Sequence, residues 1–273
     1  MWKEIVAFAG AGAALYAAQQ SELINEKAAK ILAGIGGTTF VFYLANRLYF
    51  SGGKCYETER LDGKYVIITG ANTGIGKETA AELARRGATV IMACRNTEKA
   101  EAAKAEIIAD YGIGRPTAFT KNILNSKIKK IITPVKSQQL IIEKLDLSSF
   151  KSIREFVQRV RDRGQKIDIL INNAGVMFCP YMQTADGFEM QVGTNHLGHF
   201  LLTELLLPEM NRSSKRTRVI ILSSEAHLQT KASLLPLNVD EANYSRVQCY
   251  CRSKLANAMY ANYLSRKLAA EGI

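Results

Sequence analysis

The 273-residue chain has only five cysteines, and they form neither a C-x-x-C pair nor an even set. A disulfide framework is therefore not expected, and the thiols should stay reduced in a reducing compartment. Cys249 and Cys251 flank Tyr250 and read as small residues at a helix start. Histidine is scarce too. His196 and His199 lie three apart, but no carboxylate or cysteine completes a ligand set at the usual spacing, so no metal is expected. Acids are missing from residues 113–139, which carry Arg115, Lys121, Lys127, Lys129, Lys130 and Lys136. That stretch supplies six of the eleven net positive charges, so the remainder is mildly basic and nucleic acid is not the expected partner. An uninterrupted apolar run of about 20 residues, the length that spans a bilayer, is also missing. Residues 5–18 give fourteen apolar or small positions and residues 31–45 give fifteen before Asn46 and Arg47 intervene. Met1-Trp-Lys-Glu lacks the basic start of a cleaved signal, and no A-x-A site ends the first run.

What is present begins with Thr69-Gly70-Ala71-Asn72-Thr73-Gly74-Ile75-Gly76. An apolar run at 64–68 precedes it and reads as a buried strand; residues 77–86 follow it and read as a helix. Strand, glycine turn and helix together make a phosphate cradle. The glycines let backbone approach a pyrophosphate, and the helix N-terminus offers it unpaired N–H groups and positive dipole. The spacing is G-x-x-x-G-x-G, not the G-x-G-x-x-G of other dinucleotide folds. With 47% apolar residues and strands alternating with helical stretches, a single α/β core with a doubly wound parallel sheet is expected.

Further motifs follow in order. Residues 140–145 form an apolar strand closed by Asp146-Leu147-Ser148, and residues 168–172 form another that runs into Asn173-Ala174-Gly175. Asn195 opens Asn-His-Leu-Gly-His-Phe-Leu-Leu, residues 219–222 form a strand ending in Ser223 and Ser224, and Tyr250 and Lys254 begin a helical pattern. In kind, order and approximate spacing these motifs resemble the short-chain dehydrogenase/reductase family over about 61–112 and 140–273. Cys94-Arg95, Asn-Asn-Ala-Gly-Val-Met and Asp186-Gly-Phe-Glu-Met-Gln make it similar to the membrane-anchored retinol dehydrogenases in particular.

The resemblance implies a Rossmann-type doubly wound sheet with helices on both faces. It implies alcohol–carbonyl interconversion, with Tyr250 as general acid/base, Lys254 lowering its pKa, Ser224 polarising the carbonyl and Asn195 kinking a helix and holding a relay water. The residues supply a physical basis. On a helix Tyr250 and Lys254 share one face, about 5–6 Å apart at Cβ. A phenol of pKa about 10 needs a neighbouring ammonium to work near neutrality. Ser224 is preferred to Ser223 because the family's serine matches the second of the pair. Cofactor contacts fall on Gly70, Asn72, Thr73, Gly74, Ile75, Gly76, Arg95, Asp146, Leu147, Asn173, Ala174 and Gly175, with Tyr250 and Lys254. Where NAD-preferring folds place an acid after the second strand, this chain has Arg95, a cation that can pair with a 2′-phosphate. NADP(H) is therefore the expected cofactor. The expected substrate is a lipophilic small molecule such as a retinoid; a steroid or lipid carbonyl serves the same logic, and a homodimer is left open.

Residues 1–55 are expected as a membrane-associated segment and 56–273 as the NADP-binding domain. If the second apolar run continues through Phe50, with Arg47 snorkelling, it reaches twenty residues. The endoplasmic reticulum is favoured over the mitochondrion because no Arg-rich, acid-poor presequence begins the chain. Two departures from the family stand out. Fifty residues separate Arg95 from Asp146, about twice what the crossover needs. Residues 115–139 are thus expected as an outside loop, either a retained intervening sequence or gene-model error, or a basic loop that touches anionic lipid. The chain also stops at Glu271-Gly-Ile, before the family's next strand, which leaves residues 219–222 as a sheet edge. A truncated, inactive cofactor-binding protein is the alternative to an active enzyme.

Overall fold

The computed structural model describes residues 26–45, 59–113, 132–211, 217–230 and 235–271. The chain divides into two compact units, residues 1–56 and residues 57–273. In the first, helix α1 spans Glu26–Ala45. Its first two turns carry Glu26, Lys27 and Lys30, which leaves residues 31–45 as its apolar part. Among the described residues no helix is long and apolar enough to cross a membrane. The run at 5–18 and the extension through 46–50 lie outside the described residues.

The second unit is built on five parallel strands in the order β3-β2-β1-β4-β5. These are β1 (Tyr65–Thr69), β2 (Thr89–Cys94), β3 (Leu140–Lys144), β4 (Ile169–Asn172) and β5 (Arg218–Ile221). A parallel sheet is covered on both faces, so its central strands read as unbroken apolar runs. Val66, Ile67 and Ile68 are fully buried in β1, as are Val90 and Met92 in β2. Helices α2 (Gly74–Arg85) and α3 (Thr97–Tyr111) cover one face. There Ala80, Ala81, Ala84, Ala100 and Ala103 let the helices close onto Val66, Ile68, Val90 and Met92. Helices α4 (Phe150–Asp162) and α5 (Gly198–Asn211) cover the other. Ile153, Phe156, Val157 and Val160 fall on one stripe of α4 and meet Leu202, Leu206 and Met210 of α5. Helix α6 (Arg246–Ala270) adds Tyr260 and Leu264 against Leu207, with Val219 and Ile221 of β5 beside them. Strand β5 pairs only with β4 among the described residues. The observed strands differ from the sequence boundaries by a single residue at their ends.

The basic segment needs correction at its C-terminal end. Residues 132–139 are not an outside loop. The last carbonyls of helix α2 lack intrahelical donors, and Thr133 N–H donates to one of them, Arg85 O, at 2.8 Å. The Gln139 amide adds bonds to Ala84 O at 2.8 Å and to Ala88 O, beyond the helix, at 3.1 Å. Val135 is buried in the core under α2 and α3. Residues 114–131, with five of the six cations, lie outside the described residues.

One hydroxyl stitches the carboxyl ends of the strands together. Thr69 Oγ1, at the end of β1, accepts the N–H groups of Asn173 and Ala174, each at 2.9 Å. It also lies 2.9 Å from His199 Nε2, while His199 Nδ1 lies 2.9 Å from the Asn195 carbonyl. A carbonyl can only accept, so Nδ1 carries the proton, and Thr69 donates to a bare Nε2. Burial pushes the His199 pKa down to about 4 and keeps the ring neutral. The Asn195 carbonyl also accepts from Asn257 Nδ2 at 3.1 Å. It belongs to a π-helical turn, Gly193–Leu197, that leads into α5.

Two outcomes follow from this packing. Phe156→Ala should lower the unfolding free energy by about 3–5 kcal/mol in urea titration, the range for a fully buried aromatic; a loss below about 1 kcal/mol would contradict its burial. His199 in the unfolded chain takes a proton near pH 6.5 that the folded chain refuses until about 4. Its contribution to stability is thus complete above pH 6.5 and is lost as pH falls toward 4, by up to about 3 kcal/mol. Urea midpoints of the parent chain should fall more steeply across that window than those of His199→Gln; parallel curves would contradict the assignment.

Candidate active site

The strand order reverses between β1 and β4, and a crevice forms beyond the carboxyl ends of strands at such a switch point. A cleft of about 520 Å³ occupies that place. The glycine turn forms one wall, Asp146 and Leu147 after β3 form a second, and Asn173, Ala174 and Gly175 after β4 form the third. Every cofactor residue expected from sequence lines it except Gly74, Tyr250 and Lys254.

The turn's glycines have specific causes. Gly70 has φ +66°, and a Cβ there would lie 3.0 Å from Ala174. At Gly76 a Cβ would fall 2.4 Å from Gly70 O and 2.5 Å from Asn173 Nδ2, so no side chain fits. Asn173 spends its amide on this turn, donating to Thr69 O at 2.8 Å and Gly70 O at 3.3 Å. Asn173 lines the cleft, but its side-chain donors brace the turn. Thr73 precedes α2 with extended backbone and makes no side-chain capping bond. The first N–H groups of α2 are therefore left without that cap, at the cleft.

At the far end of the cleft, Arg95 is exposed and shares the lining with Asn96 and Lys99. Asn96 Oδ1 accepts the Lys99 N–H at 2.8 Å and caps α3. Lys99 escaped the sequence argument, although its position four residues past Arg95 on a helix start was a usable signal. Asp146 is held by Ser148, whose N–H and hydroxyl donate to its Oδ1 at 2.9 Å and 2.6 Å.

Near the other end stand the residues expected to act on substrate. Tyr250 and Lys254 lie on α6, with Lys254 Nζ 5.7 Å from the Tyr250 ring centroid. Lys254 is buried, and burial lowers its pKa; its Nζ donates to Leu222 O at 3.3 Å. The two serines have different partners. Ser223 Oγ donates to Lys254 O at 2.7 Å, whereas half-buried Ser224 accepts the Ala226 N–H at 3.3 Å. Asn195 is fully buried; its Oδ1 accepts the Val176 N–H at 2.8 Å and its Nδ2 donates to Ser253 Oγ at 3.0 Å. Ser253 in turn donates to the Tyr250 carbonyl at 2.8 Å, which ties the π turn to α6. Gly175 is where the cleft meets these residues: a Cβ built there would lie 3.2 Å from Asn195 Oδ1 and 3.7 Å from Lys254 Nζ.

The remaining candidates have structural partners. His196 Nδ1 pairs with Asn257 Oδ1 at 3.1 Å, and His199 is engaged with Thr69 and Asn195. Cys249 and Cys251 are buried, and desolvation raises the Cys249 thiol pKa. Burial likewise pushes Cys94, at the end of β2, up to about 11.

Known proteins are similar to this chain in sequence and in fold. The pattern of the short chain dehydrogenase family matches residues 64–121 and 117–273. Human retinol dehydrogenase 13 is 45% identical over 225 residues, which cover 82% of this chain and 60% of that protein. Human retinol dehydrogenase 12 is 47% identical over 227 residues, covering 83% of this chain and 64% of that protein. The chain thus spans under two thirds of the length of these relatives. A crystal structure of an uncharacterized protein from Mycobacterium paratuberculosis is 40% identical, with a TM-score of 0.62, covering 81% of this chain and 68% of that one. With that match over most of its length and relatives at 45–47% identity, the chain belongs to the short chain dehydrogenase family.

Proposed function

We propose that the protein is an NADP(H)-dependent oxidoreductase that interconverts an alcohol and a carbonyl on a lipophilic molecule, a retinoid or a compound of similar character. The observation that carries this reading is the junction at Gly175. It lines the cleft, and a Cβ there would press on Asn195 Oδ1 at 3.2 Å and touch Lys254 Nζ at 3.7 Å. The acid/base machinery thereby abuts the cofactor cradle.

The cleft suits a dinucleotide. Gly70 and Gly76 bring bare backbone to its wall, and the uncapped start of α2 offers N–H groups and positive dipole to a pyrophosphate. Arg95, just before the cap of α3, and Lys99, in its first turn, both line the cleft and together suit a 2′-phosphate, the Arg as a planar fork and the Lys as a point charge. Asp146, oriented by Ser148, belongs at the adenine. When bound, the nicotinamide supplies or accepts a hydride at the carbon bearing the oxygen. In the reducing direction Tyr250 gives its phenolic proton to that oxygen, and the Lys254 ammonium favours the phenolate left behind. Ser223 has committed its proton to Lys254 O, so Ser224 is the hydroxyl free to donate to the carbonyl. Asn195 acts by holding Val176 and Ser253 in place, with a relay water toward Lys254 beyond it.

Human retinol dehydrogenases 12 and 13 carry their substrate class in their names, and an apolar substrate partitions into lipid. Membrane association through residues 1–55, at the endoplasmic reticulum, is the matching assignment.

Thermal unfolding in mild detergent tests the cofactor assignment: NADPH should raise the midpoint more than equimolar NADH, and Arg95→Asp should reverse that order. Equal shifts, or none, would overturn it. Tyr250→Phe should keep the NADPH shift while lowering kcat for retinal reduction by about 10²–10⁴-fold, the usual share of a general acid. Undiminished turnover would remove Tyr250 from the mechanism.

A further inference from the structure

Phe178 is the sole non-glycine residue with positive φ among those described, at +55°. That left-handed region is disfavoured for a bulky side chain, and it persists only where the surroundings over-determine it. They do so here through a closed circuit of hydrogen bonds. The Phe178 N–H donates to Gln191 Oε1 at 2.8 Å. Gln191 is fully buried, and its Nε2 donates to the Tyr244 hydroxyl at 3.0 Å and to Arg246 O at 2.9 Å. The Tyr244 hydroxyl returns to the same loop, donating to Cys179 O at 2.6 Å. Glu189, itself buried, accepts the N–H groups of Gln191 and Val192. Phe178's own N–H and the carbonyl of its neighbour Cys179 are thus held by one buried glutamine and the tyrosine bonded to it, which fixes the backbone between them.

What the clamp maintains is a ring in an unusual place. Phe178 stands edge-on to Tyr250, with centroids 5.5 Å apart and planes at 72°, yet remains 42% exposed. A phenylalanine held half in solvent by buried amides, instead of folding into the core, is positioned for something outside the chain. Met177 beside it is 58% exposed, and Met182 on the same loop is 50% exposed. This stretch presents polarizable apolar surface and no charge beside the acid/base tyrosine.

We propose that Phe178 is a substrate-contact residue that sets selectivity: its ring forms the wall along which the apolar body of an elongated alcohol or aldehyde lies while the oxygen reaches Tyr250. The proposal rests on the reading of Tyr250 as acid/base in an NADP(H) site. A compact polar alcohol gains nothing from this wall, whereas a long alkyl or polyene chain buries area against it.

Binding of decan-1-ol to the 273-residue chain saturated with NADPH tests this without turnover, because a reduced cofactor cannot oxidise an alcohol. Calorimetry should show Phe178→Ala and Phe178→Gly weakening decanol by roughly tenfold, the size of one aromatic contact, and Phe178→Leu by less than about threefold. Phe178→Gly relieves the positive φ, so its loss of affinity cannot be ascribed to unfolding. NADPH affinity should stay within about twofold of the parent in all three, since Phe178 is not in the cofactor cleft. Unchanged decanol affinity in Phe178→Gly, with NADPH bound, would overturn the role of Phe178 and leave the cofactor reading standing. Failure of the parent chain to bind NADPH, or decanol once NADPH is bound, would overturn that reading and this proposal with it.

Discussion

The Thr69 hydroxyl holds three segments that would otherwise have no common reference. Where β1 and β4 end, the ladder between them stops, and the N–H groups of Asn173 and Ala174 need acceptors at a buried position. Thr69 Oγ1 takes both and gives its own proton to His199, which donates onward to the Asn195 carbonyl. Each bond is ordinary, but an unpaired buried donor costs about 1–3 kcal/mol, so the three segments settle together or not at all. The glycine turn, the Asn173–Gly175 turn and the π-helical turn therefore share one geometry.

That geometry explains why small residues crowd the site. With the strand ends drawn this close, Gly76 faces Gly70 O, Gly70 faces Ala174, and Gly198 would bring a Cβ to 2.3 Å from Leu147 O. Side chains are excluded where backbone itself forms the surface, which suits a ligand recognised through its phosphates. The residues proposed for the chemistry come from a different element. Helix α6 presents Tyr250 and Lys254 from outside the sheet, and it is joined to the strand ends through Ser253, Ser223 and Asn257. The glycine cradle and the Tyr250–Lys254 pair meet at Gly175, while the strained loop at Phe178 borders the pair.

Much of this was legible in the chain. The buried strands had to be apolar throughout, because a parallel sheet covered on both faces leaves no polar side, and residues 64–68 and 140–145 showed it. The glycine turn was readable because few residue types tolerate its backbone. Tyr250 and Lys254 were readable because an α-helix converts a spacing of four into proximity. The fate of residues 132–139 was not legible: they carry no motif, and their place depends on backbone carbonyls at and just beyond the end of α2. His199 was weighed as a metal ligand on spacing alone, and its true partner, Thr69, lies 130 positions away.

Sequence by itself thus determined the sheet and the cradle, since these follow from periodicity and from local backbone chemistry, while only the family resemblance pointed to Tyr250 and Lys254 as the acid/base pair. Tertiary structure alone decided which serine hydroxyl is left uncommitted, that Lys99 joins Arg95 in the cleft, that Asn173 braces the glycine turn and that Phe178 is forced to positive φ beside Tyr250. These depend on hydrogen bonds between residues far apart in the chain, whose partners are set only when the strand ends come together.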